Sequence, residues 1–415
     1  MRLLQRLEPG QAMRVARSPV DPDTLSGAAR IVEDVRLRGE VALREHAERL
    51  DGLAPDDDLV LDREAMETTL STLSDEERAV LASVAGRIEE FARAQRDGLT
   101  DMELEVPGGK AGHRWIPVAS VGAYVPGGRH PLPSSALMTV IPARVAGVDK
   151  VWVASPHPAP VTVAAAYVAG ADGLLRIGGA QAVAALAFGT ISAPCDIVVG
   201  PGNRWVTAAK KHLYGEIGID GLAGPSEILV IADASADAAL VAADLLAQAE
   251  HDTDAVPMLV TTSRELADQV EEALVEQLSD LPTSSTATAA LRNGFCVIVG
   301  SMTEATSVSD RISPEHLALH VDDSSLGDRL SSYGSLFVGS GSAEAFADYG
   351  VGPNHVLPTG GGARHQSGLS VATFLRSPTW TLLDDPTLLI EDTVLLARLE
   401  GLEAHARAAQ MRAEG

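Results

Sequence analysis

Positive charge is scarce in this chain. Its 415 residues hold 32 Lys and Arg against 57 Asp and Glu, a formal net charge of −25. Only four of the basic residues are lysines, Lys110, Lys150, Lys210 and Lys211. A surface this acidic repels nucleic acid and anionic lipid. Aromatic residues make up 4%, too few for the stacking platforms that bind single strands. The two cysteines, Cys195 and Cys296, cannot form a disulfide framework. Both lie in apolar stretches, as inert thiols in a reducing cytoplasm do. No run of 18 uncharged apolar residues occurs, so no membrane span is expected. The opening MRLLQRLEPGQAMRV breaks its apolar residues with charges, unlike a secretory signal. There is no repeat of fixed period and no low-complexity tail.

Core material is ample. Hydrophobic residues are 46% of the chain, and the length points to two or more domains. The first hundred residues read as helical. Apolar positions recur at helical spacing over 21–52 and stop at Asp51-Gly52, and Ser74-Asp75-Glu76-Glu77 is a capping box for a run to about Gly98. From Pro117 short apolar runs alternate with helical stretches. KVWVAS (150–155), GLLRIGG (173–179) and DIVVGPGN (196–203) alternate with helices near 160–169, 180–188 and 204–214, a βαβαβ pattern and hence a parallel sheet. A second series runs EILVIAD (227–233), a helix near 235–251, PMLVTT (257–262), a helix near 264–278, FCVIVGS (295–301), a short helix, HLALHVD (316–322) and SLFVGS (335–340). The seam falls near AGPSE (223–227). From Pro386 the chain reads as a helical tail.

Several polar residues interrupt these patterns. The helix near 235–251 starts at Ser235, a good N-cap, with Asp237 in its first turn. Val241, Leu245 and Gln248 share a face, and His251 extends it. Gln248 and His251 can therefore address one object. Imidazole is a common zinc ligand, and an amide oxygen is a weak one that needs company. A helix end frayed into water explains the same residues. In SPEHLALH (313–320), Glu315 and His316 would face opposite ways within a strand, yet at a strand end both can line one cleft as a general acid/base pair. His316 and His320 share a face, which leaves a metallohydrolase reading open, although H-E-x-x-H is absent. Backbone satisfaction of His316 and an exposed His320 are the plain alternative.

The loop DYGVGPNHVLPTGGG (348–362) offers Asp348 as a hard oxygen ligand and His355 as a donor, though turn chemistry alone favours Asp and Asn beside Gly. In EGLEAHARA (400–408), Glu400 and His405 share a helix face only loosely, as a solvated tail also would. No G-x-G-x-x-G follows a strand. Instead VGAYVPGGRHP (121–131), RIGGAQA (176–182) and VGPGNRW (199–205) place glycines at or near carboxyl ends of strands, where backbone N–H groups can meet phosphate. G-x-S-x-G and the P-loop pattern are both absent.

Taken in order over roughly 110–410, the segments VGAYVPGG, PSSALMTVIPARVAGV, GGAQAVAALAFGT, VGPGNRWV, AGPSEILVIAD, DLLAQAEHD, SPEHL, GPNHVLPT, GLSVATF and EGLEAHARA resemble the histidinol dehydrogenase family, which is zinc- and NAD-dependent. The resemblance implies an α/β fold of two incomplete Rossmann-like parallel-sheet domains, one inserted in the other, in an intertwined cytoplasmic homodimer. Its divisions would be an arm at 1–18, a catalytic and metal domain at 19–123 plus 225–370, an NAD domain at 124–224, and a tail at 371–415 reaching the partner. It implies one Zn2+ per subunit, held by Gln248, His251, Asp348 and, from the other subunit, His405.

The reaction implied is the oxidation of L-histidinol through an aldehyde to L-histidine, consuming two NAD. His316 would be the base and Glu315 would activate the hydrating water. Ser226, His355 and Glu400, with the metal ligands and His316, would contact substrate. Tyr124, Gln181 and Asn203 would contact NAD. By contrast GRHPLP (128–133), GHRWIPV (112–118) and FARAQRDGL (91–99) look closer to relatives that oxidise a sulfonated propanediol. Arg129, His130, Arg364 and His365 are the cations that could receive such an acidic head. The Ser of AGPSE, the PSS of 133–135 and Glu400 favour the histidinol branch. A non-catalytic binding member of the fold is the more distant reading.

Overall fold

The structure is a computed structural model that describes residues 2–14, 20–127 and 131–413. Arg129 and His130 lie outside the described residues, as does part of the expected N-terminal arm.

The chain opens with strand β1 (Gln5–Leu7) and the single turn α1 (Pro9–Ala12), followed by helices α2 (Pro22–Arg38) and α3 (Glu40–Asp51). Strand β2 (Val60–Asp62) leads into helices α4 (Arg63–Ser71) and α5 (Asp75–Asp97). Three of these helices start on side chains that satisfy first-turn N–H groups: Asp21 for α2, Asp62 for α4 and the Ser74–Glu77 capping box for α5. A hairpin of β3 (Met102–Val106) and β4 (Gly109–His113), then β5 (Ile116–Pro117), lead to the first alternating series.

That series is β6 (Ser120–Tyr124), α6 (Pro133–Ala146), β7 (Lys150–Ala154), α7 (Pro160–Ala169), β8 (Gly173–Leu175), α8 (Gly179–Phe188), β9 (Ile197–Val199), α9 (Arg204–Leu213) and β10 (Gly218–Ile219). Its sheet has the order β10-β9-β6-β7-β8-β2, parallel except for β2 at the edge. Strands after β6 step one way to β8, then β9 returns to β6's other side. That reversal opens a crevice at the strands' carboxyl ends.

The second series is β11 (Glu227–Ala232), α10 (Ala238–Ala249), β12 (Val256–Thr261), α11 (Arg264–Asp280), α12 (Ser284–Leu291), β13 (Phe295–Ile298), α13 (Met302–Ile312), β14 (His316–His320) and β15 (Ser335–Val338). Its sheet is wholly parallel in the order β1-β13-β12-β11-β14-β15. The chain closes with the short helix α14 (Glu344–Asp348), β16 (Leu375–Arg376), β17 (Thr379–Leu383) and the tail helices α15 (Thr387–Leu399) and α16 (Glu403–Gln410). β17 completes a three-stranded antiparallel sheet with β4 and β3, and β16 pairs with β5.

Each parallel sheet is buried on both faces, as the run Ile228–Ala232 in β11 illustrates. Helices α5, α6 and α7 cover one face of the first sheet, and α2, α3, α8 and α9 the other. Residues 22–97 therefore pack with the sheet of residues 120–219. This differs from the division read from sequence, which grouped 19–123 with 225–370. Strands β1 and β2 interrupt the helical reading of the first hundred residues because three residues are too short to show a two-residue period. Helix α10 is capped by Asp237, two residues later than Ser235, whose hydroxyl is engaged by Asp233.

One buried ion pair fixes the loop after β9. Lys210 of α9 donates to Asp220 and to the carbonyl of Gly200 (3.0 Å), and Asp220 accepts from the Gly200 N–H (2.7 Å). Gly200 has φ 108°, and a Cβ there would lie 2.1 Å from the carbonyl oxygen of Tyr124. No L side chain fits that turn. Lys210→Met should cost about 3–5 kcal/mol, because it leaves Asp220 charged, buried and unpaired. The double substitution Lys210→Met with Asp220→Leu should cost less, and denaturant midpoints of both variants measure the difference.

Candidate active site and metal centre

The parallel register of β11 and β14 brings Glu227 and His316 to one edge of the second sheet. Glu315 precedes β14 and His316 begins it. Both are buried, so a pair that would diverge inside a strand meets at its end. Glu315 accepts a hydrogen bond from the Glu227 N–H at 2.9 Å. Burial pushes its carboxyl well above the usual range, with the Glu227 carboxylate adding to the rise and that N–H opposing it.

The His316 ring faces two acceptors through Nδ1, the carbonyl of Glu227 at 3.3 Å and Oε1 of Gln248 at 3.1 Å. Neither can donate, so the proton belongs on Nδ1. Nε2 is buried with no hydrogen-bond partner among the described residues. Burial lowers the ring's pKa to about 4 against the pull of Asp348, so the imidazole is neutral near neutral pH. The fixed tautomer leaves a lone pair on Nε2, the arrangement of a general base.

Beside this ring lies a cluster of possible metal ligands. Helix α10 ends at Ala249 and His251 follows in the turn, so the Gln248 and His251 side chains leave one helix end. His251 Nε2 is 3.7 Å from Oδ2 of Asp348 and 3.8 Å from Oε1 of Glu344. Ligand atoms of His251, Glu344 and Asp348 all lie within 4.8 Å of one another. Glu344 is almost wholly buried, and neither carboxylate oxygen has a hydrogen-bond partner among the described residues. Burial first, then the carboxylates of Asp348, Glu315 and Asp244, push its pKa well above the usual range. Among the described residues, no lysine or arginine acts on it. Two carboxylates, an imidazole and a neighbouring amide fit a divalent cation, and this donor set suits zinc.

Glu344 escaped the sequence reading. Its signal was present in AEAFAD, where Glu344 and Asp348 are four apart and share a helix face. Asp348 alone drew attention because it opens the glycine-rich loop. That loop is pinned by Asn354, which donates to the carbonyl of Met138 at 2.6 Å. His355 faces the Asp348 carbonyl at 3.1 Å, and burial lowers its pKa. Ser226 is half-buried just before β11. Glu400 and His405 are exposed on the tail and outside the ligand cluster. Arg364 and His365 are exposed too, and Arg364 is spent on the carbonyl of Arg311. His320, for which exposure was the plain expectation, is buried and paired with Asp244 at 2.8 Å. It is thus engaged away from a metal shared with His316. The two cysteines are buried and free, with thiols raised by burial to about 12 for Cys195 and about 11 for Cys296.

A separate cavity of about 460 Å³ opens at the carboxyl ends of the first sheet. Tyr124, Gln181 and Asn203 line it together with Gly178 and Gly179. Asn203 caps α9 by accepting from the N–H groups of Trp205 and Val206, and the Tyr124 hydroxyl accepts from the Gly179 N–H at 3.2 Å. A second cavity of about 450 Å³ is lined by His251, Glu344 and Asp348. Gly127 lines both, so the two cavities adjoin.

A family model described as "Histidinol dehydrogenase" matches residues 17–413. The chain is 44% identical over 393 residues to the histidinol dehydrogenase of Parasynechococcus marenigrum, covering 92% of this chain and 89% of that one. It is 47% identical over 395 residues to that of Haloarcula marismortui, covering 92% of each. The crystal structure of histidinol dehydrogenase from Elizabethkingia anophelis superposes with a TM-score of 0.93 at 31% identity, over 100% of this chain and 99% of that chain.

The buried Glu344 carboxyl yields a test free of activity. Its folded pKa lies above the unfolded one, so metal-free protein loses stability as pH rises from about 4.5 through the folded value. At pH 8, metal-free Glu344→Gln should therefore unfold at a higher temperature than metal-free wild type. With zinc added the order should reverse, and thermal unfolding with and without chelator reads both halves.

Proposed function

The chain belongs to the histidinol dehydrogenase family, and from that premise we propose how its residues divide the work. The reaction is the NAD-dependent oxidation of L-histidinol to L-histidine, a step of histidine biosynthesis, with NAD and zinc as cofactors. The sulfonated-diol alternative is not favoured, since the curated relatives cited are histidinol dehydrogenases. When bound, zinc anchors and polarises the substrate and NAD accepts the hydride.

Gln248, His251 and Asp348 would hold the metal, with Glu344 beside them as the residue that adds negative charge. His316 takes the hydroxyl proton at Nε2. Its Nδ1–H stays directed at the Glu227 carbonyl, which keeps the ring oriented. Glu315, raised by burial, takes a proton from the water that adds to the aldehyde, and so prepares the second oxidation. Burial of His316, Glu315 and Gln248 excludes bulk water from this corner and strengthens each of these contacts. Tyr124, Gln181 and Asn203 receive NAD in the adjoining cavity, and Ser226 and His355 contact substrate. The observation that carries this reading is the buried Nε2 of a tautomer-fixed His316, without a hydrogen-bond partner among the described residues, beside the cluster of His251, Glu344 and Asp348.

The tail points to a homodimer with shared sites. Leu388, Leu395, Leu396, Leu399 and Met411 are exposed on it, an apolar surface that a lone chain leaves in water. Phe346, Tyr349 and Val351 are similarly exposed beside the ligand cluster. A second copy's tail laid there would bring His405 to the metal and Glu400 to the substrate. No helix among the described residues is long and apolar enough to cross a membrane, and a cytoplasmic setting suits the substrate and cofactors.

Purified protein should form two NADH per L-histidinol and little with sulfonated or simple diols. His316→Asn should lower kcat by about 10³-fold, within the range for losing a general base, while zinc content stays at one per chain. Zinc loss in that variant would give His316 a different role. Mixing inactive His405→Ala and His316→Asn chains should recover activity if the tail crosses between subunits, and no recovery refutes the shared site.

A further inference from the structure

The cavity read as the NAD site contains a charged group that neither the sheet nor its glycine turns supply. Asp51 is the last residue of α3 and is buried. A carboxylate at a helix C-terminus faces the negative end of the helix dipole, and no lysine or arginine pairs with it among the described residues. It accepts two hydrogen bonds through Oδ2, from Nε2 of Gln181 at 3.0 Å and from the Gly178 N–H at 3.3 Å. Gln181 is itself 1% exposed, yet its Oε1 has no hydrogen-bond partner among the described residues. The two ends of an amide are alike in shape and opposite in hydrogen bonding. A carboxylate only accepts, so it dictates that Nε2 points toward Asp51 and Oε1 away from it.

We propose that Asp51 is a positioning residue for the dinucleotide: it locks the Gln181 amide so that its oxygen receives a hydrogen-bond donor of NAD, a ribose hydroxyl or the adenine amino group. This rests on reading the cavity as the NAD site. It makes the α2–α3 segment part of that site, although those helices lie outside the βαβ series. The bond to Gly178 extends the same control to the turn before α8, where Gly179 donates to the Tyr124 hydroxyl. If Asp51 merely capped α8, its loss would lower stability and leave NAD affinity unchanged.

The test compares NAD dissociation constants by calorimetry on zinc-loaded enzyme, with KM and kcat, and thermal midpoints as a folding check. Asp51→Asn should raise the Kd and KM for NAD about ten-fold, the scale of one charge-assisted hydrogen bond, with kcat at saturating NAD changed less than about two-fold. Gln181→Glu sets two carboxylates against each other and should weaken NAD at least as much. Combining Asp51→Asn with Gln181→Glu should bring Kd back toward wild type, since the new amide at position 51 donates to the new carboxylate at 181. Wild-type NAD affinity in Asp51→Asn, or a double variant no better than Gln181→Glu, overturns the inference. If the Asp51 variants do not fold, unchanged affinity in Gln181→Glu overturns it instead. Gln181→Ala separates the two levels: if it weakens NAD while Asp51→Asn does not, only the role of Asp51 fails, and if it leaves NAD binding intact the cofactor reading fails with it.

Discussion

Two carboxylates one helical turn apart, Glu344 and Asp348, share a corner with His251 and, among the described residues, with no lysine or arginine. Burying anionic charge without a partner costs several kcal/mol per ion. The protein can meet that cost in two ways, by holding protons there or by holding a cation. Burial raises Glu344 and Glu315 together, so metal and protons compete for the same ground. The site's other properties follow from that competition. The neutral His316, the amide of Gln248 turned to its Nδ1, and the short helix that carries Glu344 and Asp348 are all organised around a place where positive charge is wanted.

The two sheets divide the chemistry by their edges. The cavity lined by Tyr124, Gln181 and Asn203 lies at carboxyl ends of strands, beside the reversal of strand order in the first sheet. That is where open parallel sheets bind ligands. The second sheet departs from the rule. Glu227 and His316 stand at the amino ends of β11 and β14, and α10, running back from β11, delivers Gln248 and His251 to that same edge. Gly127 borders both cavities. The cavity at the carboxyl ends of the first sheet and the His316 corner at the amino ends of the second thus adjoin, so the two sheets meet at one space from opposite ends.

Most of the alternating core was legible in sequence because its strands are buried on both faces and read as short apolar runs between helical stretches. The antiparallel sheet of β3, β4 and β17 was not: MELEV does alternate apolar with acidic residues, but it is only five residues long and its Met102 and Leu104 are exposed, and GKAGH is glycine-rich. Among site residues, those beside glycine or in short unusual strings stood out. Glu344 did not, because an acidic residue in a short helix looks like surface until burial is known. Asp51 was hidden for a related reason. It reads as an ordinary helix terminus before Gly52, and only packing of α3 against α8 reveals its contact with Gln181.

The central claim is that the corner formed by His251, Glu344 and Asp348 exists to hold a divalent cation beside His316. Anomalous diffraction at the zinc edge, on crystals of the zinc-loaded protein, tests it most directly. One peak per chain is expected at about 2.0–2.3 Å from a His251 nitrogen and an Asp348 oxygen. An empty corner, or a peak elsewhere with Glu344 and Asp348 still facing each other unmetallated, would contradict it.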